Sequence, residues 1–277
     1  MVASHRFAHR AMATEFGVRL IHPDADYAAG AAQAAFARID EIEAVLSRYQ
    51  PGNDIAQLNQ AEPGEWLLVA PDVQQCLLQA RDLYHATEAR FDPAFRTPGR
   101  FGGIEIDPAY PRVRLPQRMD IDLGGIGKGY ALDEAGILLR EWEVERALVQ
   151  GGGSSVLALQ PPPGKPGWAL TVGQGPPIHL VEKSLSASGT EARGDHIVDT
   201  LGTAKGTGIV RTWALAPTAT VSDALSTVFF LMSPDAIKRF CDQHPDIGAQ
   251  WLITGPAGRQ QERYGNWPAT AGQTSRS

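Results

Sequence analysis

The pattern of this 277-residue chain agrees with an α+β fold. Three observations are compatible with that class. Long stretches of helical period occupy residues 26–49 and 71–87 and recur after residue 223. Short strand-like segments with glycine-rich turns fill the region between about residues 146 and 216. Between these lies Asp120–Asp133, which reads as strand, glycine turn and helix.

The hydrophobic fraction of 43% and charged fraction of 20% are those of an ordinary globular protein with a substantial core. A formal charge of −6 argues against general binding to nucleic acid or anionic membranes. A phosphate ligand would therefore be held by local devices such as a helix end, a few basic residues or a metal. Cys76 and Cys241 fall inside helical patterns and read as buried thiols rather than a disulfide framework. No run of 18 apolar residues occurs, so no membrane insertion is expected. The first ten residues lack an apolar signal core and a lipobox cysteine, and a cytoplasmic location is the corresponding expectation.

Residues 1–13 are basic and lead into Thr14–Ile21, where Phe16, Val18 and Leu20 alternate as in a half-buried strand. An alanine-rich helix is expected from Asp26 to about Tyr49, with Ile39, Ile42 and Leu46 in its stripe and Pro51-Gly52 as its stop. Asn53 suits the N-cap of a short helix to Asn59. Leu67–Val69 is a short strand, Pro71–Thr87 a helix, and Phe91–Arg96 a loop in which Asp92 must be extended before Pro93. Residues 97–118, rich in Pro, Gly and Arg, read as a solvent-exposed excursion.

Arg146–Leu159 reads as a strand interrupted by Gly151–Gly153, and residues 161–167 as a turn and possible subdomain hinge. Trp168–Gly173, Ile178–Ser186, His196–Asp199 and Gly208–Ala216 follow as strands. Asp223–Met232 is an apolar helix, Ser233-Pro234 starts another, Ala249–Thr254 is the last strand, and residues 266–277 form a disordered tail.

The central stretch has the makings of an anion site. Gly124, Gly125, Gly127 and Gly129 let the backbone turn tightly and approach a ligand, and the following helix offers free N–H groups and a favourable dipole. Gly129 follows Lys128 where a Walker A loop needs Ser or Thr, and the dinucleotide G-x-G-x-x-G does not fit either. Further on, Asp223 and Thr227 share a helix face at i and i+4, placed by the sequence at the first turn. One carboxylate and one hydroxyl suit Mg²⁺, while a dipole-complementing Asp and a back-bonded Thr would explain the pair equally simply.

In combination these motifs resemble the FAD:protein FMN transferases, the ApbE-like family, over roughly residues 10–255. Met12-Ala-Thr14 resembles an early Met-Gly-Thr. Ser47–Asn59 resembles "S-x-Y-x-x-x-S-D-I-x-x-L-N", and Phe91-Asp-Pro93 resembles "G-x-F-D-P". Asp122–Asp133 is close to "D-L-G-G-I-A-K-G-Y-A-V-D", followed by the glycines 151–153, and Asp223–Thr227 matches "D-A-L-S-T".

The resemblance implies a single domain over residues 1–277. Its fold would be α+β and T-fold-related, with antiparallel sheets flanked by helices in two packed subdomains. It further implies a Mg²⁺-dependent enzyme that takes FAD as substrate and moves FMN onto a Ser or Thr hydroxyl of an acceptor protein, releasing AMP. By the same carry-over Asp223, Thr227 and the Gly127 carbonyl hold the metal. Met12, Tyr49, Phe91, Asp92, Gly124 and Tyr130 line the flavin or adenosine pockets, and Lys128 sits near the phosphates or reaches to solvent. His196 takes the acceptor proton. After its histidine the family reads "H-I-I-D-P-R-T-G", whereas this chain runs His196-Ile-Val-Asp-Thr-Leu-Gly-Thr-Ala-Lys-Gly206. FAD hydrolysis to FMN and AMP, or flavin binding without catalysis, are the alternatives that this departure raises.

Overall fold

The chain folds around one antiparallel sheet whose middle strands bury both faces. The computed structural model describes residues 3–97, 99–173, 176–189, 208–255 and 258–268. In chain order its first half contains β1 (Ala3–Ala11), β2 (Thr14–His22), α1 (Ala25–Leu46), α2 (Asp54–Gln60), β3 (Trp66–Leu68), α3 (Pro71–Ala86), β4 (Glu105–Ile106), β5 (Arg112–Arg114) and α4 (Gly127–Glu141). There follow β6 (Ala147–Gly151), β7 (Ser155–Ala158), β8 (Trp168–Leu170), β9 (Ile178–Leu180), β10 (Lys183–Gly189) and β11 (Ile209–Ala216). The last elements are α5 (Ala219–Leu231), α6 (Pro234–Gln243), β12 (Gly248–Gly255) and β13 (Gly258–Gly265).

The eight-stranded sheet runs β1-β2-β6-β7-β10-β11-β12-β13, and β3-β5-β4 and β8-β9 form two small sheets. Strand alternation sorts the side chains by face. Ala147, Val149, Leu157, Ala214 and Ala216 point into the main core with the helices. Their neighbours Leu148, Val156, Ala158, Trp213 and Leu215 point the other way, where Trp168, Ile178 and Leu180 of the β8–β9 hairpin cover them. On the helical side α4 packs between α1 and α5 and crosses β6 and β7, while α5 lies on β10 and β11. Among the described residues no helix is long and apolar enough to cross a membrane.

Several sequence expectations change. Residues 120–123 form no strand. Ile121 and Leu123 are buried as the alternation required, yet their backbone pairs with loops and side chains instead of a ladder. Ile121 N–H donates to Asn59 Oδ1 at 2.7 Å, and Asp122 N–H donates to the Pro93 carbonyl at 2.7 Å. Residues 97–118 are no exposed excursion, because Phe101, Ile104, Ile106, Val113 and Leu115, in and beside β4 and β5, enter the main core.

The basic N-terminal segment is itself a strand, β1, joined to β2 by Met12 and Ala13 in left-handed conformation (φ 48° and 56°). That is the backbone of a tight hairpin turn matched to strand twist. A further strand, β13, follows the expected last one. Ile178–Ser186 is two strands broken near Glu182, whose φ of 50° interrupts the ladder. Helix α5 begins at Ala219, with Thr218 Oγ1 accepting from Val221 N–H as its cap. Asp223 therefore lies beyond the first turn of its own helix.

Candidate active site

Helix α4 starts at Gly127 straight out of the glycine turn, and Ile126 before it offers no capping side chain. Its first N–H groups need an acceptor from elsewhere, and Asp223 of α5 supplies it. Gly129 N–H donates to Asp223 Oδ2 at 3.0 Å. Lys128 Nζ stands 2.5 Å from Asp223 Oδ1, and Ser155 Oγ donates to the same oxygen at 3.0 Å. The Lys128 ammonium also bonds Ser155 Oγ. The side chains of Lys128 and Asp223 are only 11% and 10% exposed, so the lysine does not reach to solvent. The anion foreseen at this helix end is thus a carboxylate of the chain itself.

The approach of the two helices depends on Gly129. A Cβ there would lie 2.2 Å from the Ala219 carbonyl oxygen and 2.8 Å from Asp223 Cβ. The exchange is reciprocal: Asp133 of α4 accepts from Ala219 N–H at 2.7 Å, Thr220 N–H at 2.8 Å and Thr220 Oγ1 at 2.6 Å. Each helix therefore carries the acid that satisfies the other's N-terminus. Burial pushes the Asp133 carboxyl above its ordinary value, with the three hydrogen bonds opposing.

Thr227, one turn beyond Asp223, is half-buried and shares a hydrogen bond with Ser188 Oγ at 3.2 Å. Ser188 lies near the end of β10, and His196 falls outside the described residues. At Gly127 a Cβ would meet only Leu46 Cδ1 at 3.8 Å, so alanine fits there without loss. Among the described residues no group of three His, Cys, Asp or Glu side chains could hold a metal. Among the described residues, the other oxygens a cation at Asp223 could draw on are hydroxyl and backbone oxygens.

A second neighbourhood precedes the glycine turn. Arg48 Nη1 lies 3.3 Å from Asp122 Oδ2, and Arg96 Nη1 donates to the same oxygen at 2.9 Å. Asp122 Oδ1 in turn accepts from Gly124 N–H at 2.9 Å. Phe91 is buried with its ring 3.4 Å from where a Cβ on Gly125 would stand. Asp92, also buried, caps its own loop by accepting from Ala94 N–H at 2.8 Å and Gly99 N–H at 3.2 Å. Desolvation raises its carboxyl above the ordinary value. Tyr49 projects into solvent, 83% exposed, with the Arg48 guanidinium 5.8 Å from its ring.

Met12 packs against the main core from the β1–β2 turn, and the residues after that turn meet the glycines 151–153. Gly152 N–H donates to the Glu15 carbonyl at 2.8 Å, and a Cβ on Gly152 would lie 2.7 Å from Thr14 Oγ1. The adjoining Gly151 leaves room for the Lys128 stem, whose Cγ would stand 3.0 Å from a Cβ there. Ser155 also lines a cavity of about 380 Å³ with Gly152, Gly153, Thr171, Arg211 and Trp213.

Tyr130 belongs to neither group. Its hydroxyl donates to Asp72 Oδ1 at 2.9 Å, inside a network in which Arg38 bridges Asp72 and Glu134. Burial pushes its phenol well above the ordinary tyrosine range.

Sequence reasoning missed Ser155, Asp133, Ser188, Arg48 and Arg96. Ser155 carried a faint signal in its place just after the glycines 151–153. The others gain their partners only through contacts distant in sequence.

The ApbE family model matches residues 12–251. The structure is similar to the ApbE protein of Thermotoga maritima at 23% identity, covering 95% of this chain and 97% of that one with a TM-score of 0.79. It is similar to the flavin transferase ApbE of Vibrio cholerae at 15% identity, with 95% and 98% covered and a TM-score of 0.82. The flavinyl transferase ApbE of Pseudomonas stutzeri, apo form, aligns at 17% identity, with 95% of each chain covered and a TM-score of 0.81. No curated protein matches the sequence. With the family match spanning most of the chain and the same fold in all three structures, this protein belongs to the ApbE family.

Proposed function

We propose that this chain transfers FMN from FAD to a Ser or Thr hydroxyl of an acceptor protein and releases AMP, with Mg²⁺ as cofactor. The observation that carries the reading is the buried carboxylate of Asp223 set against the α4 N-terminus and already holding a cation, the Lys128 ammonium 2.5 Å away. Mg²⁺ requires hard oxygen donors, and the Asp223 carboxylate, the Thr227 hydroxyl and the Gly127 carbonyl would hold it. When bound, it supplies Lewis acidity and neutralises charge on the diphosphate.

The remaining work falls to the chain. Lys128 attracts the diphosphate oxygens by its charge, since the Gly127 and Gly129 N–H groups at the start of α4 are taken by the Leu123 carbonyl and by Asp223. The Gly124–Gly125 turn lets phosphate approach the backbone closely, with Phe91 as a wall behind it. Tyr49 offers an exposed ring for stacking, Met12 closes the far side from its hairpin turn, and Asp92 holds the loop that carries Phe91. Tyr130 supports the site indirectly, by anchoring α4 to α3 through Asp72.

His196 accepts the proton of the acceptor hydroxyl. The hydroxyl oxygen forms a bond to the FMN phosphorus, the bridging P–O bond breaks, and AMP leaves with the bridging oxygen.

The test is incubation with FAD and Mg²⁺, with and without a Thr-containing peptide, measuring AMP and peptide mass. AMP formed only with the peptide, together with an FMN-sized mass gain, is the expected result. AMP without peptide would replace transfer by hydrolysis. Bound flavin without AMP would overturn catalysis.

A further inference from the structure

We propose that Lys128 is a built-in competitor for the metal. Its ammonium neutralises Asp223 in the metal-free protein and must leave that carboxylate before a divalent cation can take it. The inference rests on the metal assignment above and adds a switch to it.

Three donors converge on the Asp223 carboxylate: Lys128 Nζ and Ser155 Oγ on Oδ1, and Gly129 N–H on Oδ2. The lysine is held at a second point by Ser155. An ammonium and a divalent cation on one carboxylate repel each other. In a site whose side chains are about a tenth exposed, water screens that repulsion poorly.

The stem lies against Gly151, where a Cβ would crowd its Cγ at 3.0 Å and its Cδ at 3.3 Å, so the missing side chain there is what lets it run to Asp223. Once displaced, the ammonium lacks its carboxylate, and a diphosphate oxygen is the partner that restores its charge balance. Metal and diphosphate therefore reinforce each other's binding, and metal alone binds weakly because it must first unseat the lysine.

The experiment is a Mn²⁺ titration of the full chain by calorimetry, without nucleotide, for wild type, Lys128→Met and Asp223→Asn. Methionine keeps the apolar stem and removes the charge. Lys128→Met should bind Mn²⁺ at least tenfold more tightly than wild type, and Asp223→Asn should not bind it. Equal or weaker binding by Lys128→Met, with wild type binding, overturns the competitor and leaves the metal assignment standing. No binding by either protein overturns both.

A second measurement needs no variant. The sequence has five lysines, so selective ¹⁵N-lysine labelling resolves the ammonium groups. Saturating Mg²⁺ should move the resonance of the doubly held Lys128, and a spectrum unchanged by Mg²⁺ overturns the proposal.

Discussion

The two carboxylate–cation groupings on either side of the glycine turn use the same chemistry in different surroundings. Lys128 and Asp223 lie almost out of water, whereas Arg96 is 40% exposed where it meets Asp122. In the first, neither charge can be left alone, since an unpaired ion there has no solvent to turn to. In the second, Arg96 is the open partner, and Asp122, itself 15% exposed, keeps Arg48 when Arg96 is lost. The contrast teaches that burial, more than distance, decides which pair can be altered silently. It also separates a pair suited to exchanging partners on ligand binding from one that merely tethers a loop.

The sharpest way to break this contrast is Asp223→Ala. It strands the Lys128 ammonium and an α4 N–H, so it should cost about 3–5 kcal/mol in urea unfolding and abolish AMP release from FAD. An active variant would sink the metal assignment. Next comes a pair of glycine substitutions two residues apart. Gly129→Ala drives a Cβ into the Ala219 backbone and should destabilise by about 3 kcal/mol, the upper end of overpacking costs. Gly127→Ala makes only an ordinary contact with Leu46 Cδ1 and should stabilise by up to about 1 kcal/mol through helix propensity. Thermal melts of the two variants should move in opposite directions, and equal shifts would contradict the close approach of α4 and α5.

A smaller effect is a slope with pH. Asp92 has its carboxyl raised by burial, so folding favours its protonated form. That contribution is fully present below the ordinary value of 3.8 and is lost as pH climbs through the raised folded value. Subtracting the Asp92→Asn urea midpoints from those of wild type between about pH 3.5 and 6 should expose this downward trend, because groups shared by both proteins cancel. A flat difference would mean that Asp92 ionises as freely as in the unfolded chain. Smallest of all should be Arg96→Ala, below about 1 kcal/mol and shrinking further in high salt. A loss as large as that of Asp223→Ala would erase the distinction between the two neighbourhoods.

Much of the fold was legible where the pattern is local. The stripes of α1 and α3, the apolar run of α5, the Asn53 and Ser233 caps and the alternation of β2 follow from periodicity and capping chemistry, and the structure contains them. Reading failed where backbone partners came from far away. Asp120–Leu123 alternates like a strand, but Asn59 occupies the ladder position that a neighbouring strand would fill. β1 looked like a basic leader because an edge strand with one solvated side needs few apolar residues. The segment 97–118 looked exposed because its five core side chains are spread among prolines, glycines and arginines.

By itself the sequence determined the glycine turn opening a helix, the Asp223–Thr227 spacing and the motif order that marks the family, and through that resemblance the α+β class. Those features depend on residues close together in the chain, or on their order along it. Only the tertiary structure decided that Lys128 pairs with Asp223, 95 positions away, that α4 and α5 cap each other, and that Tyr130 turns into helix packing. The physical reason is that a charged side chain takes whatever partner burial places beside it, and that choice is made by the packing of helices on the sheet.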